Sequence, residues 1–115
     1  MWSIGCIFYE LTHARHLFHG QTEISLLFDV FKMFGTPNES IWQGSKDLPY
    51  LGVNFPKWKV NGNEKLIEIC SQFTEHNVAI DLLTQMLQLE PSKRVTIKGA
   101  LEHPFFHDLN CSTLR

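Results

Sequence analysis

An all-α fold is what this sequence predicts, and three observations carry the prediction. Apolar residues recur at helical spacing across the windows 23–34 and 78–89. No run alternates apolar and polar residues for long enough to make a confident strand. Every proline falls outside these periodic windows. With 115 residues and 43% hydrophobic content there is room for one domain and one modest core.

The first element is a helix over Trp2 to Thr12. Trp2, Ile4, Cys6, Ile7, Phe8, Tyr9 and Leu11 cover most of its circumference. A helix apolar all round belongs inside a protein. Gly5 would cost about 1 kcal/mol in a helix interior, so its expected use is to let a neighbour approach the backbone closely. The stretch THARHLFHGQ breaks the helix into a loop. A second helix spans Glu23 to Phe34. Ile24, Leu27, Phe31 and Phe34 lie on one face, widened by Leu26, Val30 and Met33. Gly35 fits the position just past its end, and Pro37 prevents resumption.

From Ile41 to Gly62 the chain reads as a long loop, with Trp42, Tyr50, Phe55 and Trp58 spaced to pin it onto a body. Glu64 to Phe73 is a weaker helix candidate. Val78 to Leu89 is a strong one, with Ile80, Leu83 and Leu87 on one face. EPSKR reads as a turn. Thr96 can cap a short helix through Leu101, which Pro104 stops. Phe105 and Phe106 would dock the end of the domain.

Formal net charge is −2 with no block of like charge, so neither a nucleic-acid nor a membrane-surface partner is expected. No apolar run approaches the ~20 residues of a membrane span. The N-terminus lacks the basic region and cleavage site of a signal peptide. Three cysteines, Cys6, Cys70 and Cys111, show no paired spacing, which favours reduced thiols in the cytoplasm or nucleus.

His13, His16 and His19 stand three apart, a spacing zinc helices use, but they fall where the helix breaks and no cysteine or carboxylate cluster accompanies them. Cys6 lies on the buried helix, a poor setting for a nucleophile. No GxGxxG, GxxxxGK[ST] or GxSxG occurs, so the residues alone present no catalytic constellation.

A resemblance extends this reading. MWSIGCIFYEL resembles the segment of protein kinases within the pattern D-x-W-S-x-G. LFHGQTEISLLFDVFKMFGTPNESIW and LPYLGVNFPKW are similar to the cyclin-dependent kinase group, and AIDLLTQMLQLEPSKRVTIKGALEHPFF to the last helices of the same lobe. The match covers Trp2 to about Phe106. It implies a partial kinase domain over 1–115: the C-lobe from a buried central helix onward, further helices and a long irregular insert, with 107–115 as a tail.

On this resemblance Met1 falls on the x that follows the pattern's Asp. The 115 residues contain no Gly-rich loop, H-R-D, D-F-G or A-P-E. Phosphoryl transfer is mostly positioning and charge stabilisation by those parts. The expectation is therefore a segment of a Ser/Thr kinase without catalytic, cofactor-binding or metal residues of its own, ATP and Mg belonging to the full-length family. A short binding module, engaging an adaptor or substrate through the second helix and the insert, is the alternative. The DNA upstream of the Met1 codon separates the two: an open frame encoding the missing motifs favours the segment, a stop codon the module.

The resemblance also implies roles for particular residues. Trp2, Ser3 and Gly5 match the central helix that supports the catalytic and activation segments. Arg94 matches the arginine that pairs with the Glu of A-P-E. In its absence Arg94 is expected to find water, another acid or another chain. Gly20, Thr22, Glu23, Ile24 and Leu27 match the loop and helix start where cyclin-dependent kinases bind a small regulatory-subunit adaptor. His19, Gln21 and Ser25 depart from the family there, and Gly99 stands where a better helix former is usual. Cyclin binding is not expected of this span.

Overall fold

The computed structural model describes residues 1–49, 51, 54–72 and 77–107, and these form helices and turns with no strand among them. Five α-helices follow in order: α1 (Trp2–His13), α2 (Glu23–Phe34), α3 (Glu64–Ser71), α4 (Asn77–Met86) and α5 (Ile97–Leu101). Short 3₁₀ turns occupy Ser45–Asp47, Pro91–Lys93 and Pro104–Phe106. Tyr50, Gly52, Phe73, Cys111 and the tail beyond His107 lie outside the described residues.

Local chemistry explains the boundaries. Ala14 ends α1 in the left-handed region at φ 56°, and its N–H closes on Glu10 O. Thr22 caps α2 through a capping box shared with Ser25, and Gly35 ends it at φ 93°. Thr96 caps α5 by accepting from the Gly99 N–H. A Cβ on Gly99 would meet Val95 at 3.0 Å and the Thr96 hydroxyl at 3.2 Å, so a larger residue there must displace one of these side chains slightly.

Two helices differ from expectation. α4 ends at Met86, short of Leu89. The carbonyls that would continue it have other donors: Gln88 Nε2 bonds Thr84 O and the Val95 N–H bonds Gln85 O; beyond them, Arg94 bonds Gln88 O and Leu89 O. Leu87 nevertheless stays fully buried. α1 departs further. Only Gly5 and Tyr9 are buried along it, while Ile4, Ile7 and Leu11 are 48%, 55% and 81% exposed. One side of α1 packs on α4, and no described segment covers the other.

The helix at the centre of the packing is α4, which also meets α3 and the Pro104–Phe106 turn. Its Ile80 and Leu83, with Leu87, join Tyr9, Leu17, Phe34, Leu66 and Cys70 in one cluster. Its Leu82 and Met86 join Ala100 in a second, against Phe8, Val95 and Phe106. His103 locks the last turn to α4. Its Nδ1 accepts the Phe105 N–H at 3.1 Å, so Nε2 carries the proton and donates to Asp81 Oδ2 at 2.7 Å.

Of the four aromatics expected to anchor the long excursion after α2, Phe55 and Trp58 do so. Phe28 of α2 meets Phe55 at 5.3 Å and Trp58 at 5.6 Å between ring centroids. Thr36, which the sequence did not single out, fastens the returning chain with three bonds to Pro56 and Trp58.

Candidate functional site

Three regions hold the residues singled out from sequence: the base of α1, its open flank, and the start of α2.

At the base of α1, Trp2 is the centre of an aromatic cluster. It stacks on Phe18 at 5.9 Å with 4° between ring planes, and meets Phe34 edge-on at 5.7 Å. Arg94 Cζ sits 5.1 Å from the Trp2 ring centroid, within cation–π range. The guanidinium bonds Gln88 O at 2.7 Å and Leu89 O at 3.2 Å. Among the described residues no carboxylate pairs with it. Desolvation pulls its pKa below the ordinary arginine value. Backbone carbonyls and an indole thus hold Arg94, a solution not among those expected.

Gly5 is pressed against the chain after α4. An added Cβ would lie 2.8 Å from Leu87 Cδ2 and 3.0 Å from Met86 Cβ. Any larger residue must move α1 or Leu87. Ser3 points to solvent. Ile4, Ile7 and Leu11 stand at i, i+3 and i+7, so they form one stripe on the uncovered flank. Sequence showed that these residues are apolar. Which of them are open depends on what packs on α1, and that is a tertiary fact.

At the start of α2, Gly20 and Thr22 shape the surface and Glu23 and Ile24 present it. The Gly20 N–H donates to Asp29 Oδ2 at 2.8 Å, and the His19 N–H to the same oxygen at 3.2 Å. A Cβ on Gly20 would fall 2.4 Å from Leu26 N, so only glycine fits. Glu23 is exposed, Ile24 is 47% exposed and Leu27 is half-buried. Asp29 is the residue that sequence reading missed; a lone acid inside an apolar helical window was the available signal.

The remaining candidates are occupied separately. His13 stacks on Tyr9 at 4.0 Å between centroids, and His16 Nδ1 lies 2.8 Å from Glu10 Oε1. Among the described residues no group of three or more His, Cys, Asp or Glu could hold a metal ion. No helix there is long and apolar enough to cross a membrane.

The described thiols, Cys6 and Cys70, are free. Burial, then the Glu10 charge, pushes the Cys6 thiol up, and burial pushes Cys70 up to about 11. Cys70 should therefore resist iodoacetamide at pH 8 in the native chain and react on unfolding. Peptide mapping after timed alkylation checks this, and native labelling at the unfolded rate would contradict it. The fold favours the protonated thiol. Its contribution to stability is thus complete below the ordinary thiol pKa of about 8.5 and is lost as pH rises through about 11.

The protein kinase domain model matches residues 1–106. Cyclin-dependent kinase B2-1 of Oryza sativa subsp. japonica is 42% identical over 113 residues, covering 96% of this chain and 32% of that protein. Cyclin-dependent kinase B2-1 of Arabidopsis thaliana is 41% identical over 109 residues, covering 95% and 33%. The chain spans about a third of the length of these curated relatives.

Proposed function

The chain belongs to the protein kinase domain family, and from that premise we propose that it serves as the helical floor of a cyclin-dependent-kinase-like Ser/Thr kinase and transfers no phosphate by itself. One observation carries the reading. α1 packs tightly on α4 along Gly5 and Tyr9, yet presents Ile4, Ile7 and Leu11 bare on its other flank. A helix apolar all round is built to be covered on every side, and contiguous exposed apolar surface marks an interaction site. In the family this is the helix on which the catalytic and activation segments rest.

ATP and Mg²⁺ belong to the full-length family. The described residues offer no cluster of metal-ligating side chains, and the sequence contains no GxGxxG or GxxxxGK[ST] pattern. The whole protein's reaction, ATP-dependent phosphorylation of protein Ser or Thr, is proposed from its relatives. A cytoplasmic or nuclear location, where Cys6 and Cys70 would stay reduced, belongs to the same proposal.

The test is phosphoryl transfer. The purified chain, given labelled ATP, Mg²⁺ and a generic Ser/Thr substrate, should incorporate no label above a protein-free blank. Incorporation that survives repurification and is lost on substitution within the chain would refute the reading.

A second reading concerns partners. Glu23 and Ile24 stand open beside a loop fixed by Asp29 and a capping box. That arrangement favours a protein contact, with a kinase regulatory-subunit adaptor or a substrate as candidates. Ile24→Asp should abolish binding of a purified adaptor while helical content is kept. Unchanged binding would remove this face from consideration.

A further inference from the structure

The insert carries a cavity of about 410 Å³ that the kinase reading does not use. Its apolar lining comes from Pro37, Leu51, Phe55 and Trp58, and its charged lining from three lysines, Lys46, Lys57 and Lys59, against one acid, Glu39. The chain as a whole carries −2, so this local excess of cations runs against the background.

The lysines are presented by fixed backbone. The Thr36 N–H donates to Trp58 O at 3.0 Å, while its hydroxyl donates to Pro56 O and accepts the Trp58 N–H, each at 2.9 Å. Those bonds take Pro56 and Trp58 and leave Lys57 and Lys59 exposed. Lys46 rides on the Ser45–Asp47 turn, which Glu39 secures: its carboxylate accepts the Gly44 N–H at 2.7 Å and the Lys46 N–H at 3.1 Å. Both Glu39 oxygens are thereby committed to backbone, and the bonds hold its pKa below the usual range. Lys32 adds a cation beside the cavity, its Nζ lying 5.6 Å from the Trp58 centroid.

The geometry points to a docking pocket for an acidic protein segment. One aromatic or aliphatic side chain enters against Pro37, Phe55 and Trp58, and flanking Asp or Glu residues reach Lys46, Lys57 and Lys59. Ammonium groups on flexible stems suit carboxylates at varied spacing, without the planar fork that selects bidentate partners. Charge at an exposed rim governs encounter rate and salt sensitivity, and the apolar anchor governs residence. This inference rests on the insert alone and survives whatever becomes of the kinase reading.

Fluorescence anisotropy of a labelled peptide, Glu-Asp-Phe-Glu-Asp, titrated with the full chain tests it. Saturable binding is expected, weakened about tenfold in Lys57→Glu/Lys59→Glu and to a smaller degree in Lys46→Gln. Equal binding by the double variant, no saturable binding by the native chain, or equal affinity for an oligothymidine would overturn it. Should the double variant lose its circular dichroism signal, the native chain decides. Binding that falls with added salt and with Phe replaced by Ser supports the pocket, and binding indifferent to both refutes it.

Discussion

Leu87→Ala should cost about 2–5 kcal/mol of stability, read from the urea midpoint at unchanged slope. Leu87 is fully buried just beyond the end of α4 and fills the space against Gly5 of α1. Removing it leaves a cavity between the two helices that set the fold. Gly5→Ala alone should cost about 1–3 kcal/mol by overpacking, partly offset by about 1 kcal/mol of helix propensity. The two changes should not add. With Leu87 shortened, two of the three closest contacts of the new Cβ disappear, leaving Met86 Cβ at 3.0 Å. A double-mutant cycle should therefore show a favourable coupling of at least ~0.5 kcal/mol. Strict additivity would mean that α1 and the end of α4 do not meet as described.

How far the sequence could be read follows from which interactions are local. α2 was legible to the residue because its stop and start are encoded nearby, in Thr22, Ser25 and Gly35. α5 and its Thr96 cap were legible for the same reason. Periodicity overextends α4 because Leu87 and Leu89 keep the helical period. The Gln88 side chain takes Thr84 O, and Val95, beyond the window where periodicity is judged, takes Gln85 O. The roles of Thr36, Asp29 and Glu39 were invisible for a related reason: each polar side chain bonds backbone several or many positions away. Among the candidate residues, Gly5 is expected at a close approach, whereas the steric need for Gly20 emerges only from its packing against Leu26 and Ser25. The environment of Arg94 could not be expected, because it depends on how the chain after α4 folds back to present the Gln88 and Leu89 carbonyls.

The second large effect concerns the flank of α1. Ile7→Lys/Leu11→Lys should change solution behaviour strongly and stability little. Both side chains are more than half exposed, so their replacement removes few contacts, and surface changes away from packed features typically stay within about 0.5 kcal/mol. What they do present is apolar surface to water and to other molecules, at about 25 cal/mol per Å² of surface that finds cover. The native chain should bind the dye ANS and associate as concentration rises. The double variant should do neither. The same two changes in a longer polypeptide that carries the covering segments should be severely destabilising, because there they would bury two unpaired charges.

The most direct measurement is ANS fluorescence with sedimentation on the 115-residue chain and on Ile7→Lys/Leu11→Lys side by side. A helix left bare predicts strong dye binding and association in the native chain, both abolished in the variant, with urea midpoints nearly equal. A native chain that stays monomeric, binds no dye and melts sharply would mean that nothing is missing from α1, and the proposed role as an uncovered kinase floor would fail.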